Sequence, residues 1–102
     1  MKRARNHAKK IEVHKFANVW GSLSDTPEEA ANLTVRSDLI IQISEIIKTS
    51  GWTQVEAAKR CRISQPRMSD LLRGHIDRFS LDALVNIATA LGCKVQLKLA
   101  AA

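Results

Sequence analysis

The chain of 102 residues has no tyrosine, and only two tryptophans, two phenylalanines, two cysteines, two prolines and four glycines. A chain this short builds one small domain with a modest core. Cys61 and Cys93 lack any metal-ligand spacing. Each falls in an apolar pattern, so buried, reduced thiols are expected rather than a disulfide framework. His7, His14 and His75 form no ligand pair at helical spacing. There is no Ser/His/Asp arrangement and no Gly-rich phosphate loop. No catalytic residue, metal site or cofactor is therefore expected, and the chain is not read as an enzyme. No apolar run approaches the length of a membrane span, and no hydrophobic signal region follows the basic start. A cytoplasmic protein with no membrane partner is the expectation.

What the chain does have is positive charge, unevenly placed. The net charge is +6. Residues 1–15 carry +5, residues 16–52 carry −3, residues 53–78 carry +3 and residues 79–102 carry +1. Two basic segments flank an acidic one, a distribution suited to a polyanionic partner. A +3 segment taken alone is equally a solvated face.

The second basic segment holds the most informative stretch, Thr53 to Gly74. Thr53 is an N-cap residue, with Glu56 three positions on in a capping-box spacing. Ala57 and Ala58 are small enough for a second helix to approach closely. Ser64 is a second N-cap residue. Pro66 belongs in a first turn, where its missing N–H has no partner to lose. Met68, Leu71 and Leu72 recur at the spacing of a buried stripe, and Gly74 ends the helix. Arg67, Ser69, Asp70 and Arg73 fall off that stripe and are expected to face outward. Two short helices with a tight turn, the second opening on Ser-Gln-Pro-Arg, suit a major groove. Gln bonds adenine and Arg bonds guanine, each through two hydrogen bonds. An ordinary helical hairpin with a polar face is the competing reading.

Around this stretch the chain divides into a basic N-terminal arm, 1–25, and a helical domain, 26–99. In the arm, Ile11 and Val13 give a weak strand signal. Phe16, Val19, Trp20 and Leu23 make a short amphipathic segment that covers core or meets a partner. Thr26-Pro27-Glu28-Glu29 starts a helix that runs toward Ser50 and closes at Gly51. Its stripe is Leu39, Ile40, Ile43, Ile46 and Ile47, with a bend expected at the β-branched pair Thr34-Val35. Trp52 is read as core. Ser80 caps the last helix, whose buried face is read as Leu81, Leu84, Val85, Ala88 and Leu91, with Gly92 as its stop. Arg73 and Arg78 flank the preceding loop, where phosphate contact is expected. Cys93, Val95, Leu97 and Leu99 then alternate with polar residues, a strand with one buried face. Such a strand needs a partner, either the Ile11–Phe16 segment or the same strand of a second chain.

From about Leu33 to Leu99 the chain resembles the Xre-type, lambda-repressor-like helix-turn-helix family. Gly51-Trp52-Thr53-Gln54 resembles the approach to the family's first motif helix, and Ser64-Gln65-Pro66-Arg67-Met68-Ser69 its recognition-helix opening. Phe79-Ser80-Leu81-Asp82 with Leu91-Gly92 resembles its last helix. The tail is similar to that of HigA-like antitoxins, partners of RelE/HigB-type ribonuclease toxins. One departure is Arg62, where the family usually has Gly in a left-handed turn. A non-glycine residue there costs on the order of 1 kcal/mol.

The resemblance implies a mainly α, lambda-repressor-like domain of four or five helices with a short C-terminal β-strand. It implies a repressor that binds a double-stranded DNA operator and is the antitoxin of a toxin–antitoxin pair. The alternatives are a toxin-neutralising module in which DNA binding is secondary and a stand-alone phage-type repressor. Gln65, Pro66, Arg67, Ser69 and Asp70 are expected to face base edges. Asp70 is read as excluding a wrong base or orienting Arg67. Gln54, Ser64 and Arg73 are expected to touch phosphates. Few base contacts per motif favour a homodimer, which sets two recognition helices about 34 Å apart on the duplex. The C-terminal strand is the expected dimer element, and a toxin is expected to meet residues 1–33.

Overall fold

The computed structural model describes residues 10–13 and 26–101. The chain runs β1 (Lys10–Val13), α1 (Pro27–Ser50), α2 (Gln54–Cys61), α3 (Gln65–Leu72), a 3-10 turn (Ile76–Arg78), α4 (Leu81–Ala90) and β2 (Lys94–Leu97). It is a mainly helical fold with four α-helices among the described residues and a short C-terminal strand. The amphipathic segment Phe16–Leu23 and the first nine residues lie outside the described residues. No helix among the described residues is long and apolar enough to cross a membrane.

Each helix starts where a hydroxyl can satisfy a first-turn amide. Thr26, Thr53, Ser64 and Ser80 accept from the backbone N–H groups of Glu29, Glu56, Arg67 and Ala83 at 3.0, 3.1, 3.3 and 3.1 Å. The capping box at Thr53 is half made. Glu56 turns its carboxylate to Arg60, 3.7 Å away one turn along the helix. Three helix ends are followed by glycines in the left-handed region: Gly51, Gly74 and Gly92 have φ of 74°, 76° and 83°.

Helix α1 is unbroken from Pro27 to Ser50. The helix continues through Thr34-Val35, where the Thr34 hydroxyl donates to the Ala30 carbonyl at 2.9 Å. Leu39, Ile40, Ile43 and Ile47 form its buried stripe, with Ile46 packed at the edge. They meet Met68 and Leu71 from α3 and Leu84, Ile87 and Ala88 from α4. Burying each large aliphatic side chain contributes about 1.5–3 kcal/mol, so this shared core outweighs the caps that place the helix ends.

The buried face of α4 is rotated from its sequence reading. Ile87 is buried beside Leu84 and Ala88, whereas Leu81, Val85 and Leu91 are half-buried. Leu84, Ile87, Ala88 and Leu91 follow the i, i+3, i+4, i+7 spacing, and Val85 lies off it.

The terminal strand pairs within its own chain. β1 and β2 form a two-stranded parallel sheet in which Lys10, Ile11, Glu12 and Val13 oppose Lys94, Val95, Gln96 and Leu97. The strand is shorter than the alternation from Cys93 to Leu99 implies, and its buried face is too. Cys93 is buried and Val95 half-buried, but Leu97 and Leu99 are 54% and 99% exposed. The core beneath the sheet extends only as far as Ile11, which is 1% exposed and joins the α1 cluster. Beyond Val95 the alternation continues, but Leu97 and Leu99 are not part of the core cluster among the described residues.

Cys61 ends α2 and Cys93 precedes β2, and both are buried and outside any disulfide. Burial, with a smaller electrostatic contribution from nearby Cys93, pushes the Cys61 thiol from 9.0 up to about 11. A thiol so raised is a poor nucleophile at neutral pH.

Candidate nucleic-acid interface

Helices α2 and α3 are joined by Arg62, Ile63 and Ser64. The turn requires a left-handed residue, and Arg62 supplies it with φ 61° and ψ 40°. Its amide closes α2 on the Lys59 carbonyl at 3.2 Å, and the Ile63 amide reaches the Ala58 carbonyl at 3.0 Å. The absence of glycine therefore leaves the turn's form intact and adds local strain. Ala57, Ala58 and Cys61 on α2 are buried, as are Met68 and Leu71 on α3. The small alanines let the two helices pack closely with their polar faces outward.

The expected site residues fall into two sets. Gln54 stands exposed at the start of α2, and Ser64, Gln65 and Pro66 are exposed at the start of α3. Arg73 is exposed just after α3. Ser64 spends its oxygen on the helix cap. Arg67, Ser69 and Asp70 are only half-exposed, and two of these side chains are already engaged. The Arg67 guanidinium lies over the Phe79 ring, 4.5 Å from its centroid, and its Nη1 donates to the Arg78 carbonyl at 3.2 Å. That uses one of five donors, so Arg67 is held in place with hydrogen-bonding capacity to spare.

Asp70 partners neighbours other than Arg67. Its Oδ1 accepts from Arg78 Nη1 at 3.0 Å and lies 3.2 Å from His75 Nδ1. Although partial desolvation acts upward, the hydrogen bonds and charges of Arg78 and His75 hold the Asp70 carboxyl below its usual range. An ionised carboxylate only accepts, which assigns the bridging proton of His75 to Nδ1. The sequence reading of Asp70 as an orienter of Arg67 is corrected here: the guanidinium it fixes belongs to Arg78. The reason is the loop, which folds back to place His75 and Arg78 beside α3.

That loop is anchored by a residue the sequence reading passed over. Arg36 on α1 donates through Nη1 to the carbonyls of Ile76 and Phe79 at 3.2 and 3.1 Å, while its Nε donates to Asn32 Oδ1 at 2.6 Å. Arg36 continues the stripe of Leu39, Ile40 and Ile43 toward the helix start. A cation on an apolar stripe is the available signal for such an anchor. Phe79 is likewise more than a core residue, since its buried ring is the platform for Arg67. Arg60 lies over Trp52 at 4.6 Å, an arrangement that places Trp52 in packing.

The resulting surface offers amide and guanidinium donors at a helix start, fixed from behind by a packed core. Among the described residues no group of three or more His, Cys, Asp or Glu side chains could hold a metal ion. An open groove of about 430 Å³ separates the motif turn from α4, bordered by Arg62, Arg67, Asn86 and Thr89.

Comparison with known proteins agrees with this geometry. No curated protein matches the chain. A family model described as a helix-turn-helix domain matches residues 22–100. Since that match takes in α1 to β2 with the capped helix pair at its centre, the chain belongs to the helix-turn-helix domain family, a family of DNA-binding regulators.

Proposed function

We propose that the protein is a sequence-specific repressor whose α3 enters the major groove of a DNA operator. The observation that carries this reading is the opening of α3. Gln65 and Pro66 are exposed there, beside an Arg67 fixed by Phe79 and the Arg78 carbonyl. A helix start presenting amide and guanidinium donors reads adenine and guanine. In this reading Gln65, Pro66, Arg67 and Ser69 face bases. Gln54, Ser64 and Arg73 set register on the phosphates, with Ser64 contributing through its helix-capping geometry.

A homodimer on a two-half-site operator belongs to the same proposal, because one motif makes few base contacts. Since β1 occupies one edge of β2, the proposed dimer uses a surface other than that edge. A Xre-type, HigA-like antitoxin assignment, with a RelE/HigB-type toxin bound at residues 1–33, is the narrower form of the proposal. It is supported by the resemblance of the motif and tail.

The test compares a duplex enriched by the protein from a random library with a random-sequence duplex. Gln65→Ala is expected to weaken binding to the enriched duplex by about 1–3 kcal/mol and to leave random-duplex binding nearly unchanged. Arg73→Ala is expected to weaken both and to lower the salt slope by about one. Equal losses on both duplexes for Gln65→Ala would remove the base-reading role.

A further inference from the structure

The surface of α3 and its following loop carries only a small excess of positive charge. Between Ser64 and Phe79 the chain carries Arg67, Arg73 and Arg78 against Asp70 and Asp77. Asp70 sits in the middle of this surface, and Arg78, from the loop, is bonded to it. The Arg78 side chain is 56% exposed and that of Asp70 23%, so the pair lies at the solvent edge with the guanidinium outermost. His75 adds a second donor to the same oxygen.

An aspartate here has two consequences. It cancels a positive charge on the face that approaches a polyanion. It also supplies Arg78 with an anionic oxygen of the kind a phosphate would offer, at hydrogen-bond distance and in the free protein. An exposed ion pair of this type is weak, and its partners separate readily when another anion is presented. Long-range attraction to any duplex is therefore muted, whereas a phosphate set directly against Arg78 can still take the guanidinium over.

Resting on the DNA-binding reading above, we propose that Asp70 is a charge clamp on Arg78 that lowers non-specific binding. Arg78 is a phosphate-contacting residue that engages the backbone only by exchanging the Asp70 carboxylate for a phosphate oxygen. The exchange occurs where α3 is seated in the groove and a phosphate is held against the loop. On a duplex that α3 does not fit, Arg78 stays with Asp70 and contributes nothing to binding. Asp70 thus sets the ratio of specific to non-specific affinity without touching a base, as a positioning residue acting through Arg78.

The experiment measures affinity against salt concentration for full-length protein on the enriched duplex and on a random-sequence duplex. Asp70→Asn keeps the side-chain shape and an acceptor for Arg78 but removes the competing charge. Random-duplex affinity is expected to rise about three- to fivefold, with a salt slope steeper by up to about one. Affinity for the enriched duplex is expected to rise less, so the ratio falls. The gain is expected to vanish in Asp70→Asn combined with Arg78→Ala. A gain that persists there is plain loss of repulsion and overturns the clamp, as does an unchanged random-duplex affinity. A readout needing no substitution at Asp70 is the Nε–H resonance of Arg78 in the unaltered protein. It is expected to move with the enriched duplex and to hold its free position with the random one; movement with both overturns the clamp. Failure to enrich any duplex overturns the DNA-binding reading and the clamp with it. Duplex binding without the Asp70→Asn effect removes the clamp alone.

Discussion

Between Thr53 and Arg73 the structure answers to near neighbours: Thr53 and Ser64 each cap an amide three residues on. At the terminal sheet Ile11 opposes Val95 across almost the whole chain. The helix-turn-helix unit is thus written locally, and the sheet is written only in the closed fold. A two-stranded sheet is marginal by itself, and this one rests on the helical body through Ile11. The helix pair in turn is too short to persist alone, and Met68 and Leu71 tie it to the same core. The two regions differ in how their positions are specified, while both depend on one hydrophobic cluster for stability.

The largest expected effect tests that shared dependence. Met68→Asp and Leu84→Asp each place an unpaired charge at a fully buried site. Each is expected to cost about 4 kcal/mol or more, enough to unfold a small domain by far-UV circular dichroism. A folded Met68→Asp variant would mean the helix pair stands without the core.

Ile11→Ala probes the non-local region. Loss of a buried isoleucine side chain is expected to cost about 2–4 kcal/mol in a denaturant titration. The denaturation midpoint should fall while the helical signal below it persists. A cost under about 0.5 kcal/mol would show that the sheet lies outside the cooperative unit.

The thiol at the end of α2, whose neighbour Cys93 leads into β2, tests where the two regions meet. Cys61 has a folded pKa raised to about 11 from 9.0. Both states hold the proton below pH 9. Above it the unfolded chain releases the proton first, so stability is lost as pH rises from 9 toward 11. A shift of this size corresponds to about 2–3 kcal/mol. Cys61→Ala is expected to flatten this alkaline limb relative to the unaltered chain. Equal slopes in both would remove the burial argument.

The smallest effect is a gain. Arg62→Gly relieves a left-handed non-glycine residue, offset in part by the entropy of a more flexible unfolded chain. A stabilisation of about 0.5–1 kcal/mol is expected in thermal unfolding. Destabilisation would show that the Arg62 side chain contributes contacts outweighing the strain.

The sequence by itself determined the helix starts, the glycine stops, the stripe of α1 and the residues presented at the head of α3. Caps, prolines and apolar periodicity act over three or four residues, so their signals lie next to what they control. Tertiary structure decided the rest. It chose Ile87 over Val85 for the core, because the rotation of α4 is set by what it packs against. It gave β2 a partner in β1 and left Leu97 and Leu99 exposed, because alternation specifies a face but not how far the opposing surface extends. It also used Arg36 to anchor a loop, Phe79 to seat Arg67, and Asp70 to hold Arg78. Hydrogen bonds and ring contacts between separate elements depend on where the backbone brings those elements together, and no local spacing in the chain encodes that meeting.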